Sequence, residues 1–351
     1  VTTIVAVGDI QLGDSAICPG FGVGTWLAKG AQNGLFSAIA ADLRGDLTVG
    51  NLETCLSHAG LDPSDWRSVQ MRGRPESAGE LRDAGFDVVN VANNHTFQHG
   101  QRAFSETVQG LRGAGVAVCG LRGTDGWSSQ PVRTAPGDST VGILGYSMRP
   151  RQFSSATPPY AEGTPEGMLR DIERLSAEVD HVIVTLHWGE EFVERPSLEE
   201  VRLARGMVEA GARIVAGHHP HVLRPIESHQ GGVIAYSLGN LVGDMVWWDP
   251  LVRGAILRCR LESPRMVDVV RTEIGADLVP RPLGRSAPSL EPVTGLDPDA
   301  YHRAIARSQR AQRLASYRFA LKNLRRYPRH LLRQLAFVTV RNKLAQLLGR
   351  A

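Results

Sequence analysis

The chain has 351 residues, 42% of them hydrophobic, with 38 glycines and 21% charged residues, a balance that suits a loop-rich enzyme and excludes a disordered or fibrous chain. No run approaches the ~18 uninterrupted apolar residues of a transmembrane helix. The net charge of +3 is uneven: residues 301–351 hold 13 Lys or Arg and no Asp or Glu, which leaves 26 basic and 36 acidic residues before them.

In chain order, the N-terminus opens as a strand, Thr2-Thr3-Ile4-Val5-Ala6-Val7, with no basic segment before it. That pattern predicts no signal peptide and a cytoplasmic location. Cys18, Cys55, Cys119 and Cys259 show no CxxC spacing and fit reduced thiols. The patterns predict strands over 2–8, 46–50, 87–91, 116–119, 139–145, 181–186, 213–216, 232–236, 254–260 and 265–271. Helices are predicted over 31–44, 76–84, 101–113, 165–178 and 197–210. Ser197 and Glu200 form a capping box for the last of these, and Gly211 ends it. The last two strands read as an antiparallel pair around Glu262-Ser263-Pro264.

Repeated strand–helix units favour an α/β architecture, and the number of strands favours two packed mixed sheets flanked by helices. Residues 1–275 then form a catalytic domain. Residues 276–300, with five prolines, read as an irregular connector. The basic extension 301–351 is predicted as helices over 301–328 and 330–348, with Leu314, Leu321 and Leu324 among its arginines.

Polar residues cluster just past predicted strands, where α/β proteins place their sites. Asp9 follows Val5-Ala6-Val7-Gly8, and Glu53 follows Val49-Gly50-Asn51-Leu52. Val88-Val89-Asn90-Val91-Ala92 leads into Asn93-Asn94-His95, a fourth strand ends in His187, and a fifth ends in His218-His219-Pro220-His221. Carboxylate oxygen with imidazole nitrogen is a donor set for divalent cations such as Mn²⁺, Zn²⁺ or Fe²⁺.

These segments resemble the capsule-synthesis, or poly-γ-glutamate-synthesis, proteins with a calcineurin-like metallophosphoesterase fold. The resemblance spans about residues 3–245. It rests on Gly8-Asp9-Ile10-Gln11-Leu12-Gly13, Gly50-Asn51-Leu52-Glu53, Ala92-Asn93-Asn94-His95 and His187-Trp188-Gly189-Glu190. Gly217-His218-His219-Pro220-His221-Val222 and Tyr236-Ser237-Leu238-Gly239-Asn240 complete it.

The resemblance implies one or two divalent metal ions (Mn, Zn, Fe, Ca or Mg) and no organic cofactor. By that resemblance Asp9 and His221 hold the first ion, Glu53 bridges, and Asn94, His187 and His219 hold the second. His95 is the acid or base beside the reacting group, with Asn94 and His187 next to it, while His218 is not assigned as a ligand. Two positions depart from what the resemblance implies: Gln11 stands where classical phosphoesterases have a metal-binding histidine, and Gln98 where the family often has an aspartate that would support His95. Losing that carboxylate lowers the imidazolium pKa.

Gln11, Glu190, Trp188, Arg224 and Arg253 are candidate substrate contacts, as are Trp247 and Trp248. The blander alternatives are a solvated turn for Glu190, core packing for the tryptophans and ordinary ion pairs for the arginines. The expected substrate is peptide-like or polyglutamate-like, with the metals polarising a carbonyl, carboxylate or phosphoryl group. Two alternatives are a cofactor-free epimerase of a lasso-type peptide and an inert binding module. The basic extension is expected either to pack on the acidic body or to dock an acidic precursor peptide, with nucleic acid disfavoured.

Overall fold

In the computed structural model, residues 2–31, 34–149, 151–263, 267–331 and 334 are described. The strands are β1 (Thr3–Ile10), β2 (Leu47–Leu52), β3 (Cys55–Leu56), β4 (Arg72–Gly73), β5 (Val88–Asn90), β6 (Ala117–Cys119), β7 (Val132–Thr134) and β8 (Val141–Ser147). They continue as β9 (His181–His187), β10 (Ala212–His218), β11 (Ile226–His229), β12 (Gly232–Ala235), β13 (Asn240–Val242), β14 (Arg253–Arg260), β15 (Val267–Ile274) and β16 (Pro280–Ser286). The helices are α1 (Val23–Trp26), α2 (Ala40–Leu43), α3 (Trp66–Val69), α4 (Ser77–Asp83), α5 (Gly100–Gly113), α6 (Pro165–Ser176), α7 (Leu198–Glu209) and α8 (Pro298–Lys322).

One sheet runs β16-β15-β14-β1-β2-β5-β6, with β13 also paired to β1, and the other runs β11-β12-β10-β9-β8-β7. The β1–β2–β5–β6 and β8–β9–β10–β12 stretches are parallel, whereas β14, β15 and β16 pair antiparallel. Strand periodicity sets the layers. Ile4 and Ala6 of β1 point inward to meet Ile143, Ile183 and Ile214 of the facing sheet. Val5 and Val7 point outward to the layer containing Phe104, Val108 and Leu111 of α5. On the opposite outer face, Met168, Ile172 and Leu175 of α6 and Val201, Ala204 and Met207 of α7 cover Leu144, Val184 and Leu186. This is the expected sandwich of two mixed sheets flanked by helices.

Several local expectations change. The predicted helix 31–44 is broken into short pieces: Ala31 ends a π-helical turn, Ser37–Ile39 is a 3-10 turn and α2 follows, with 32 and 33 outside the described residues. Within the predicted connector 276–300, β16 forms an edge strand. Pro280 and Pro282 are tolerated because an edge needs hydrogen bonds on one side only, and its exposed residues lack the apolar alternation that signals a buried strand. A boundary at 275 therefore cuts through a sheet.

The last described helix starts at Pro298, where the Asp297 carboxylate accepts the Ala300 N–H at 2.8 Å. Most of the expected second helix, 330–348, lies outside the described residues. Among the described residues, no helix is long and apolar enough to cross a membrane.

Candidate metal centre

The parallel strands β1, β2, β9 and β10 end at the same edge of the sandwich, which brings Asp9, Glu53, His187 and the 218–221 loop together. At Gly8 the chain passes against the 238–239 backbone: an added Cβ would lie 2.4 Å from the Gly239 carbonyl oxygen. The absence of a side chain there lets β1 approach β13 and seats Asp9 opposite Asn240.

Asp9 and Glu53 are fully buried. The Asn51 amide donates to Asp9 Oδ1 at 2.8 Å, and the His219 backbone N–H donates to Oδ2 at 3.1 Å. His218 Nδ1 and His221 Nδ1 stand 3.3 and 3.2 Å from the two oxygens. Burial alone would raise the Asp9 carboxyl, but these imidazoles outweigh it and hold it well below the usual range. Burial pushes Glu53 up to about 8, opposed by His221 and reinforced by Asp9. His221 is itself raised to about 10, because Glu53 and Asp9 together outweigh its burial. Asn240 Oδ1 lies 3.0 Å from His221 Nδ1 on the side facing β13.

On the other side, His187 Nε2 lies 2.8 Å from Asn94 Oδ1 and 3.5 Å from Glu53 Oε1. Burial holds His187 and His219 well below the usual imidazole range. Glu53 Oε1 and both ring nitrogens of His219 are buried without a hydrogen-bond partner, a costly arrangement for polar groups. His219 and His221 also have positive φ, 93° and 58°, a conformation side chains rarely adopt and one that concentrates at functional sites.

The ligand atoms of Glu53, His187 and His219 lie within 4.8 Å of one another, as do those of Asp9, Glu53 and His221. Orphaned buried lone pairs and a mixed oxygen–nitrogen donor set fit divalent cations, with Glu53 common to both groups. A third such group joins Glu191 to His219 and His221.

His95 stands at the mouth. Its Nδ1 is 2.7 Å from Gln98 Oε1, so Nδ1 carries the hydrogen and Nε2 presents a lone pair 4.0 Å from Glu53 Oε1. Gln98 thus orients the ring in place of a carboxylate. Burial lowers His95 to about 4, with the Gln98 bond opposing it. Gln11 donates from Nε2 to Glu53 Oε2 at 3.2 Å, and its own Oε1 is unpartnered. His99 is anchored to the Gln70 carbonyl at 2.8 Å. A cleft of about 230 Å³ opens here, lined by Gln11, His95, Phe153, Glu191, Phe192 and Trp247 among others, and no Arg or Lys is among its described lining residues.

Other candidates lie apart from the cleft. Trp188 is 1% exposed, stacks on Tyr236 and donates to the Tyr236 carbonyl, so it is core packing. The buried Arg224 braces the 189–193 loop through the Val193 and Glu190 carbonyls and pairs with Glu200 at 2.8 Å. Arg253 pairs with Asp249 and Glu273, and Glu190 pairs with Arg149.

Sequence reasoning left Asn51, Asn90, Asn93 and Asn240 without roles. Asn90 and Asn93 donate to Asn51 Oδ1 at 3.0 and 3.4 Å, which orients the Asn51 amide toward Asp9 and His187. Their signal was a run of amides inside buried strand ends, which an apolar core does not need.

The profile described as bacterial capsule synthesis protein PGA_cap matches residues 3–245. The PGA biosynthesis protein CapA of Bacillus subtilis is 32% identical over 227 residues, covering 62% of this chain and 59% of that protein. The capsule biosynthesis protein CapA of Bacillus anthracis is 31% identical over 192 residues, covering 52% and 46%. The chain therefore spans about half to three-fifths of the length of these relatives. Among solved structures, a 5′-nucleotidase from Candida albicans aligns over 92% of this chain and 58% of its own at 11% identity, with a TM-score of 0.44. With more than half of its length matched, this chain belongs to the bacterial capsule synthesis protein family, PGA_cap.

Proposed function

We propose that the chain is a metal-dependent enzyme acting on a peptide-like substrate, and that the reacting group is a carbonyl, carboxylate or phosphoryl centre held at Glu53. The reading is carried by one observation: Glu53 Oε1 and both His219 nitrogens are buried without partners inside a ring of further potential ligands. Asp9, Glu53 and His221 would hold one ion, and Glu53, Asn94, His187 and His219 the other. When bound, such ions supply Lewis acidity to the reacting oxygen.

The chain's own residues do the rest. Asn51 keeps Asp9 oriented, and Asn94 is held by the Gln152 amide oxygen at 2.8 Å. His95 Nε2 faces the cleft ready to take a proton. The apolar and amide lining of the cleft suits an uncharged portion of a peptide beside the metals. The names of the two Bacillus relatives, which concern PGA and capsule biosynthesis, favour a glutamate-rich chain. Four buried, unpaired cysteines agree with a cytoplasmic setting.

The test is to strip the protein with a chelator, reload it with Mn²⁺, Zn²⁺ or Ca²⁺, and measure ions per chain and turnover of γ-glutamyl peptides and a phosphodiester. Bound metal together with metal-dependent turnover supports the reading. Turnover that persists without metal would overturn it.

One observation favours a second reaction at the same site. With Nδ1 committed to Gln98, His95 is arranged as a base rather than an acid. A base beside a polarised carboxyl group can remove an α-proton, and delivery of a proton by a second group on the opposite face would invert the carbon. Deuterium uptake at a peptide α-carbon in D₂O without bond cleavage would identify this reaction, and cleavage without uptake would exclude it.

A further inference from the structure

The basic extension does not do what its charge suggests. Residues 301–351 hold no Asp or Glu, and helix α8 docks on the body through aromatic and polar contacts. The Glu190 backbone N–H donates to the Tyr301 hydroxyl at 3.3 Å. The Phe319 ring lies 6.2 Å from that of Trp247, and Tyr327 donates to the Ile17 carbonyl at 2.6 Å. Of the cations in this stretch, Arg326 joins the docking by lying over the Phe21 ring, 4.5 Å from its centroid. Among the described residues, Arg303 and Arg307 form neither a hydrogen bond nor an ion pair. They sit one turn apart on the same face, where like charges repel.

That face borders a groove of about 500 Å³ between α8 and the 192–195 loop. Arg303, Arg307 and Arg195 line it, with Glu194 as the one carboxylate. Arg195 is anchored by donation to the Thr294 carbonyl at 2.9 Å. Ala304 and Ala311 keep the helix side of the groove open. Phe192 and Trp248 also line it, with ring centroids 6.3 Å apart, and the Phe192 ring centroid is 6.5 Å from that of His221. Phe192 also lines the metal cleft, so one aromatic ring separates the two spaces. Its φ of 69° is held by donation from its N–H to the Pro220 carbonyl at 2.8 Å.

We infer that this groove binds an acidic, extended peptide segment, with side-chain carboxylates on Arg303, Arg307 and Arg195, and guides the adjoining uncharged stretch past Phe192 to the metal cleft. The inference rests on the proposed peptide chemistry of the cleft and assigns the recognition of negative charge to a separate place. It accounts for the division of polarity: the cleft has no Arg or Lys among its described lining residues and carries Glu191, whereas the neighbouring groove has three arginines. Unpaired guanidinium forks are suited to carboxylates.

The test is binding rather than turnover, so it stands apart from the test of the catalytic reading. A fluorescent oligoglutamate peptide of about ten residues is titrated into the full chain, with and without metal, and followed by anisotropy. Arg303→Glu with Arg307→Glu is compared with Arg318→Glu with Lys322→Glu, which makes the same charge change on the same helix away from the groove. Circular dichroism confirms that both variants are folded. The expected result is an affinity loss of about tenfold or more for the groove pair and less than about threefold for the control pair, with or without metal. Equal losses in both variants, unchanged binding in the groove variant, or no binding of the peptide by the parent chain would overturn the inference. Anionic vesicles or oligonucleotides that bind with the same dependence on Arg303 and Arg307, while the peptide does not, would overturn it too.

Discussion

The two halves of the candidate centre solve the problem of buried charge differently. Around Asp9, a carboxylate meets imidazoles: His218 and His221 lie against its oxygens, and Asn51 and the His219 N–H supply hydrogen bonds. Around His219 there is no such compensation; its nitrogens and the nearer Glu53 oxygen have no partner. On the Asp9 side the carboxylate and the His221 imidazole offset one another, and the unpartnered atoms there are His218 Nδ1 and Gln11 Oε1. The His219 side carries the cost of unpaired buried polar atoms and has the most to gain from a cation. Gln11 stands beside the Asp9 side and donates to Glu53, with its own Oε1 unpartnered.

The largest expected effect breaks both halves together. Glu53→Gln should abolish tight metal binding and lower turnover by roughly a thousandfold, because Glu53 is common to both groups; retention of two ions would contradict that sharing. His219→Ala separates the halves. It should lower affinity for one ion by roughly a hundredfold while leaving the Asp9 side able to bind, as read by calorimetric metal titration.

Gln98→Asp sharpens the role of His95. A carboxylate on Nδ1 should raise the His95 pKa, now depressed to about 4, by roughly 1–3 units. If His95 acts as a base, the acidic limb of the pH–rate profile moves up with it; an unmoved limb removes His95 from the proton transfer.

A buried carboxylate outside the centre, Asp244, offers a smaller, purely structural comparison. Burial and neighbouring Asp14 push Asp244 up to about 7 from 3.8. The folded chain holds this proton more tightly than the unfolded chain, so the stability it contributes is complete below pH 3.8 and is lost as pH rises through 7. The slope is at most about 1.4 kcal/mol per pH unit. Asp244→Asn should flatten the decline in thermal stability across that window, and an unchanged slope would refute the assignment.

The smallest effect is at Arg253, whose partners Asp249 and Glu273 are exposed or half-exposed. Arg253→Ala should cost under about 1 kcal/mol and leave KM unchanged, in contrast to a substrate clamp.

Much of this was legible in the sequence where an apolar strand delivers one polar residue. Asp9, Glu53 and His187 follow such runs, and β1, β2 and β9 place them as expected. The antiparallel pairing of β14 and β15 was equally visible, because two apolar runs flank a turn. What failed depended on surroundings. Trp188 and Arg224 looked like substrate contacts because they adjoin His187 and the histidine loop, yet strand alternation turns Trp188 into the core and Arg224 braces the backbone. The strand β16 was hidden because an exposed edge has no buried face to impose a period. The start of α8 at Asp297-Pro298 carries an N-cap and an N-terminal proline, but it is masked by the other prolines around it. The basic extension packs on the body as one of its two expected readings has it, through Tyr301 and Phe319 of α8 and through Arg326 and Tyr327 just after it.

The most direct test of the centre is an anomalous-difference map from crystals grown with Mn²⁺ or Zn²⁺. The account predicts a peak about 2.0–2.3 Å from a Glu53 oxygen and a ring nitrogen of His219. A fully loaded crystal whose peaks all lie elsewhere, with those atoms still unpartnered, would contradict it.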